Sequence, residues 1–501
     1  MCGVIGFYSP ARDGLDDIVT GLFQMQHRGQ DACGIVLSDG AALRLHRSLG
    51  FVREVFHHRP SAEFNGRIGI GHVRYPTQGG NRLENTQPFL DARPGGTAMA
   101  LCSNGDVVNY WALRHMLEAR GIAFEGTNDG ELMLRLVATW HHDDGLGIVD
   151  ALRRLQREVK GAYSACLLVA DRLYAFRDPW GVRPMTFGRV DDDWVVASET
   201  TALDINRAEL IDEVQPGEVI VFSAAGVERL AHPDVVGARD GRPTPAHCVF
   251  EHVYFSRPDA LVFGRYAYDV RKRIGGWLAR HDPVVADLVV PVPDSSNAVA
   301  LGYAQASGVP FELGLVRNHY IGRTFIRPEQ ARRDDGVKMK FNPVRHLFEG
   351  RRVVLVDDSI VRGTTSRKLV RMIRGAGARE VHLRVGSPVT ANPCFYGIDT
   401  PTRAELIGAQ NDVEAIRGFL TADTLRYITV EGLKECVGDR GDFCMACFDG
   451  KYPIALSEDK RWEVGGGGDA VDVVHDAPTG AITGRSAPPP TDRSSTVPAG
   501  P

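Results

Sequence analysis

The residues best equipped for chemistry lie in VVLVDDSIVRGTTSRK, residues 353–368. An apolar run ends at Val356, two carboxylates follow at Asp357 and Asp358, and small residues lead into a helix expected from Thr365. Open parallel sheets bind ligands beyond the carboxyl ends of their strands. A helix N-terminus offers unpaired N–H groups and a positive dipole end to a phosphate. Gly363 lets the backbone approach closely, and the hydroxyls of Ser359, Thr364, Thr365 and Ser366 add donors. Two adjacent carboxylates can accept from a sugar diol or face magnesium. No Gly-Lys-Ser/Thr follows, so this is not a Walker loop. Asp, Ser and Thr also cap helices, but capping does not need the whole sixteen-residue pattern.

Reactive residue types also gather at the start. The chain opens MCGVIGFYSP, so a cysteine stands directly behind Met1 and heads a strand-like stretch, Val4-Ile5-Gly6-Phe7. Polar motifs follow at Gly71-His72-Val73-Arg74-Tyr75-Pro76-Thr77, Asn104-Gly105-Asp106 and Asn128-Asp129-Gly130-Glu131. Singly they are ordinary, since Asn-Gly is a common turn and a lone arginine usually an ion-pair partner. Near the other end Cys444 and Cys447 form a CxxC, which by itself fits a redox dithiol, half a zinc site or coincidence. No thioredoxin-like context surrounds it.

Elements must position these residues. The chain has 501 residues, which favours two or three domains over one. Apolar content of 43% and charged content of 24% are those of a soluble globular protein, and the net charge of −5 does not call for nucleic acid as a partner. No apolar run approaches the ~20 residues that span a bilayer, and the N-terminus lacks an export-signal pattern. A cytoplasmic protein with reduced thiols is expected, with no membrane partner. Cys33, Cys102 and Cys166 then read as small buried hydrophobes.

Up to about residue 240, strands expected at 67–73, 97–101, 162–170, 172–176, 194–197 and 218–223 alternate with helices at 15–25, 108–119, 130–141 and 147–159. A Pro- and Gly-containing stretch, 231–246, reads as a linker. Beyond it come helix 267–280, apolar strand 287–291, helix 297–307, strand 353–356, helix 365–376 and strand 380–384. Apolar strands alternating with helices imply a parallel sheet covered on both faces. The glycine- and proline-rich tail, 465–501, has little to bury and is expected to be disordered.

The string Asp357-Asp358-Ser359-Ile360-Val361-Arg362-Gly363-Thr364-Thr365 resembles the phosphoribosyl pyrophosphate (PRPP) loop of type I phosphoribosyltransferases, and most closely that of the amidophosphoribosyltransferase family. The resemblance runs from about residue 2 to 455, through His27-Arg28-Gly29-Gln30-Asp31, RDPWGVRP (177–184), ASET (197–200), FEHVYFSRPD (250–259) and PVPDSSNAVALGYA (291–304). It implies an N-terminal-nucleophile αββα sandwich, a class II glutamine amidotransferase domain, over 2–240. A type I phosphoribosyltransferase domain with a cluster-binding C-terminal segment follows over 247–464. Removal of Met1 would leave Cys2 as nucleophile with its own α-amine as base, a group that ordinarily titrates at ~7.7–8.0. By the same resemblance Asn104 and Gly105 are the oxyanion donors. Arg74, Thr77 and Asp129 bind glutamine, Arg74 gripping its carboxylate and Asp129 its ammonium. PRPP falls to Asp357, Asp358, Ser359, Arg362, Gly363, Thr364, Thr365 and Arg323, and magnesium to Ser296, Asp357 and Asp358.

Residues 317–340 are basic and turn-rich, with six Lys/Arg against three acids between Arg323 and Lys340. Composition fits a solvated loop; the resemblance implies a lid that closes over the pyrophosphate. Cys248, Cys394, Cys444 and Cys447 stand where iron–sulfur members carry ligands. Spacing does not separate a 4Fe–4S cluster from zinc, and the resemblance favours iron–sulfur; Cys436 is outside the pattern. The activity implied is a glycosyltransferase reaction in the first step of purine synthesis. Glutamine and PRPP are its substrates, ammonia passes between two sites, purine nucleotides inhibit, and the assembly is a homotetramer. Two rivals are a PRPP-sensing regulator, which would not need Cys2, Arg74, Asn104 and Asp129 together, and another glutamine amidotransferase, which would not carry the 357–365 loop.

Overall fold

Residues 3–230 build two antiparallel sheets that lie face to face. The structure, a computed structural model, describes residues 1–75, 80–93, 96–231, 244–319, 339–400 and 402–457. The first sheet has seven strands in the order Glu209–Glu213, Thr186–Val190, Asp193–Ala197, Gly3–Tyr8, Ile68–Arg74, Ala32–Ser38, Leu43–Leu49. The second has six: Gly226–Leu230, Val219–Ser223, Arg172–Arg177, Gly161–Val169, Met99–Val107, Phe89–Asp91. Side chains alternate along each strand. Val4 and Tyr8 enter the layer between the sheets with Cys102, Cys166 and Leu173. Ile5 and Phe7 face the other way, onto helices Leu15–Gln24 and Thr200–Ile205. The outer face of the second sheet is covered by Tyr110–Ala119, Asp129–His142 and Ile148–Glu158. The result is the expected αββα sandwich, with Cys33, Cys102 and Cys166 buried as small hydrophobes.

The strand expected at 97–101 runs from Met99 to Val107, so Asn104 and Gly105 lie inside it and not in a turn after it. Pairing of Ser103–Val107 with 161–165 overrides the turn preference of Asn-Gly.

The second half is a parallel sheet, Leu288–Pro291, Arg352–Asp357, Glu380–Val385 and Thr424–Tyr427, in that order. Successive residues of its second strand face opposite layers. Val354 and Val356 pack with helices Ala267–His281 and Asn297–Ser307. Val353 and Leu355 pack with Thr364–Gly375 and Val413–Leu420. That two-sided burial explains the uninterrupted VVLV. The chain then returns to its own beginning, since Phe443–Cys444 pairs in parallel with His247–Cys248 and Ser457 donates to the Val108 carbonyl at 3.0 Å. The linker falls mostly, and the tail wholly, outside the described residues. Among the described residues, no helix is long and apolar enough to cross a membrane.

Leu355 is fully buried between sheet and helix. Leu355→Ala is expected to cost about 2–5 kcal/mol, read as a lowered midpoint of urea unfolding; a loss near zero would contradict this core.

Candidate active site

Cys2 precedes the central strand Gly3–Tyr8 and is half-buried. Its backbone N–H donates to Asn104 Oδ1 at 3.1 Å, and its Sγ lies 3.6 Å from the Tyr75 carbonyl oxygen. Asn104 is buried, and its Nδ2 has no hydrogen-bond partner among the described residues. An orphaned buried donor beside a thiol is costly unless something arrives to accept from it. Gly105 faces Tyr163 across the ladder. The Tyr163 amide is engaged by Asp178, so this is a non-hydrogen-bonded pair and the Gly105 N–H points away from the ladder. A Cβ at 105 would lie 1.8 Å from the Ala162 carbonyl oxygen, so only glycine fits.

Arg74 and Asp129 complete the group. Arg74 is buried and donates to the Gly80 carbonyl at 2.8 Å. Burial pulls its pKa down, against the pull of Cys2 and Asp129. Asp129 opens helix Asp129–His142; burial, then Cys2, push its carboxyl well above the usual range. The sequence-expected Thr77 lies outside the described residues. Two supporting residues escaped sequence reasoning. Gln87 accepts from Ser103 N at 2.7 Å and donates to Ser103 O and Asn128 Oδ1, both at 3.2 Å, tying the Asn104 strand to the Asp129 helix. His72 Nε2 lies 3.2 Å from Ser103 O, and burial, with Arg74 beside it, takes its pKa to about 3, so it is neutral. Nothing in the sequence separates this buried glutamine from a surface one. Met1 is also buried, packed with Val108, Ala162 and Val182, with its sulfur accepting from Arg183.

The second group lines a cleft of about 610 Å³ at the carboxyl ends of the parallel strands. Asp357 ends its strand, accepting from Ser366 Oγ at 3.1 Å, while Asp358 accepts from Ser295 Oγ at 2.6 Å and Ser359 Oγ at 2.7 Å. Burial raises both carboxyl pKa values, and the neighbouring Asp358 raises that of Asp357 further. Gly363 precedes helix Thr364–Gly375 with φ of 73°, a left-handed turn that favours glycine. It presents the helix N-terminus, Thr364 and Thr365 to the cleft. Arg362 lines the cleft and pairs with Glu405 at 3.1 Å.

Ser296 is not brought to this cleft. It is fully buried, with its hydroxyl unpartnered among the described residues, and Ser295 occupies the position beside Asp358. Arg323 and residues 320–338 of the expected lid lie outside the described residues; Arg317 pairs with Asp294 at 2.8 Å, and Lys340 lines the cleft.

The two halves meet at this cleft. His27, Gln30 and Tyr75 of the sandwich line the same cleft as 357–366, and Tyr75 Oη donates to Asp399 Oδ2 at 3.3 Å. Behind the cleft, Cys248, Cys394, Cys444 and Cys447 line one small pocket, with Phe250, Ile398 and Cys447 forming a wall common to both cavities. Cys248 stands opposite Cys444 in the short parallel ladder. Burial pushes the Cys248 thiol up to about 11 and raises Cys444 and Cys447 as well. Among the described residues no three His, Cys, Asp or Glu side chains are arranged to hold a metal ion. Cys436 is buried away from this pocket.

Residues 79–205 match a family described as a glutamine amidotransferase domain. An amidophosphoribosyltransferase of Methanothermobacter thermautotrophicus is 44% identical over 461 residues, 91% of this chain and 95% of its own. That of Bacillus subtilis is 42% identical over 463 residues, again 91% and 95%. Among solved structures, the allosteric regulatory enzyme of purine biosynthesis superposes with a TM-score of 0.85 at 41% identity, covering 91% of this chain and 97% of that one. The B. subtilis glutamine PRPP amidotransferase complexed with ADP and GMP gives 0.84 at 41%, with 91% and 98% covered. At 42–44% identity over 91% of its length, the chain belongs to the amidophosphoribosyltransferase family.

Proposed function

We propose that the chain converts glutamine, PRPP and water into 5-phosphoribosylamine, glutamate and pyrophosphate, the entry step of purine synthesis, with ammonia passing from one site to the other inside the protein. What supports this most is the shared cleft, in which His27, Gln30 and Tyr75 of one half face 357–366 of the other.

In the first half, removal of Met1 turns the Cys2 amide nitrogen into an amine of pKa ~7.7–8.0, which can take the thiol proton. The sulfur then attacks the glutamine carboxamide. Asn104 Nδ2, which has no other partner among the described residues, and the Gly105 N–H receive the oxyanion. Each such donor is worth roughly 10²–10³ in rate. Collapse of the adduct releases ammonia, and water cleaves the thioester to glutamate. Arg74 and Asp129, both held at shifted pKa values by burial, are relieved when the substrate's α-carboxylate and α-ammonium bind. Thr77 is assigned to the same glutamine contacts.

In the second half, the N–H groups opening helix Thr364–Gly375 suit the sugar phosphate. Asp357 and Asp358 accept from the ribose hydroxyls, and Ser359, Arg362 and Arg323 supply further contacts. The carboxylate pair fits magnesium, since a dication would relieve the burial that raises both pKa values and the repulsion from Asp358 that raises that of Asp357 further. Ser295, bonded to Asp358, is better placed than Ser296 to share that ion. Magnesium held by these carboxylates together with PRPP would supply positive charge against the departing pyrophosphate. The four thiols share one pocket and carry the ligand chemistry of an iron–sulfur cluster, which would draw them together and cross-link 248, 394 and 444–447. Purine nucleotides are the inhibitors of this reading, and a homotetramer its assembly. The B. subtilis relative was solved with ADP and GMP.

Cys2→Ala is expected to lower glutamine-dependent synthesis by more than about 10³-fold while ammonia-dependent synthesis persists. Persistence of glutamine use in the variant would remove Cys2 as nucleophile. Asp358→Asn should lower kcat/KM for PRPP by roughly 10–100-fold without touching PRPP-independent glutaminase activity; unchanged PRPP kinetics would take this carboxylate out of the site. Protein purified anaerobically should carry about four iron and four sulfide per chain, both lost in Cys444→Ser. Zinc in place of iron would sink the cluster assignment.

A further inference from the structure

We propose that Gly397, in the phosphoribosyl half, is a positioning residue for glutamine hydrolysis: its backbone bears directly on the Cα, C and O of Gly105 and so fixes the residue whose N–H is the oxyanion donor. The inference rests on Gly105 as an oxyanion donor. A Cβ added at 397 would fall 2.9 Å from Gly105 C, 3.0 Å from its carbonyl oxygen and 3.1 Å from its Cα. The two backbones therefore touch with no side chain between them. A Cβ on Gly105 itself would strike Ala162. Gly105 is thus in close backbone contact with strand Gly161–Val169 of its own half and with Gly397 of the other. The φ of 97° at Gly397 is one that L side chains rarely adopt.

The segment that presses on Gly105 is firmly anchored. The Tyr396 carbonyl accepts from Arg183 Nε at 2.7 Å and from its Nη2. Arg183 is buried in the first half, and its own carbonyl accepts from Ser164 Oγ at 2.9 Å, on the strand beside Gly105. Tyr396 Oη donates to the Ile454 carbonyl at 2.7 Å and accepts from Ile454 N at 3.1 Å. Cys394 N donates to Thr400 Oγ1 at 2.7 Å. The segment begins at a cysteine of the thiol pocket and ends at Asp399, the partner of Tyr75 at the cleft. It therefore reaches the thiol pocket, the oxyanion strand and the sugar-phosphate cleft within six residues. Oxyanion donors must sit within 2.7–3.1 Å of the developing charge, so displacing Gly105 by a few tenths of an ångström selectively harms the transition state.

The test compares Gly397→Ala with the parent by glutamine-dependent synthesis, ammonia-dependent synthesis and iodoacetamide alkylation of Cys2. The expected result is kcat with glutamine down by about 10–100-fold at a nearly constant KM for glutamine, with ammonia-dependent synthesis and alkylation held within about two-fold. An unchanged kcat with glutamine overturns the proposal, and so does a parallel fall in all three readouts, which is the mark of general disruption. Should Gly397→Ala fail to fold, Tyr396→Phe decides. Loss of its bonds to Ile454 should give the same selective pattern at about 3–10-fold, and no loss overturns the role. Asn104→Ala separates the two layers of inference. If it leaves glutamine turnover intact, the oxyanion assignment itself fails. If it cripples turnover while Gly397→Ala does not, only the positioning role falls.

Discussion

The guanidinium of Arg28 is the constraint on which both halves depend. It is fully buried, and no charge stays buried without partners. Its Nε donates to the Cys2 carbonyl at 3.0 Å, and its Nη groups bond Glu199 of the first half and Glu251 of the second, the latter at 2.8 and 3.1 Å. Burial opposes the charge on Arg28, but Glu251 and Glu199 outweigh it and raise the pKa above the ordinary value. Burial would lift the Glu199 carboxyl, yet His27 and Arg28 hold it down to about 2. Separating the halves would expose or strand this network, and breaking such a pair by removing one partner costs about 3–5 kcal/mol. The Cys2 backbone is thus fixed by a cation that the second half helps to neutralise.

From that anchor the cleft follows. Glu251 begins the π-helical turn Glu251–Phe255 and accepts from Ser256 Oγ at 2.8 Å. Tyr254, Phe255 and Ser256 of the same stretch line the cleft. A π-turn is a departure from regular helix that recurs at functional sites. Here it lets one short stretch hold Arg28 with its first residue and wall the cleft beyond the parallel strands with the next few. The 394–399 segment makes the second tie between the halves, through Gly105, Arg183 and Tyr75. Both ties approach the Cys2 site from the phosphoribosyl side, so neither site is built by its own half alone.

The candidate site was legible in sequence where it depends on local pattern. An apolar strand, two carboxylates, a glycine and a helix start are contiguous in 353–368, and the folded loop uses them in that order. Asn104-Gly105 was legible as a motif but not as a strand. The pairing that straightens it comes from 161–165, more than fifty residues away. Ser296 shows the opposite limit. Adjacent serines at 295 and 296 are equivalent on the page, and only the backbone turning into helix Asn297–Ser307 decides which hydroxyl meets Asp358.

By itself the sequence determined the chemical inventory: a thiol at position 2, a carboxylate pair at a strand end, four cysteines in three separated stretches, and apolar strands alternating with helices that specify a parallel sheet, while the sandwich followed from the family resemblance. These depend on residue type and short-range spacing, which a linear string carries. Tertiary structure alone decided that Gln87 ties the Asn104 strand to the Asp129 helix, that Arg28 joins Glu199 to Glu251, and that Gly397 bears on Gly105. Each of these contacts joins residues from about 15 to about 290 positions apart. Their strength comes from exclusion of water and close packing, and neither exists until the chain has closed on itself.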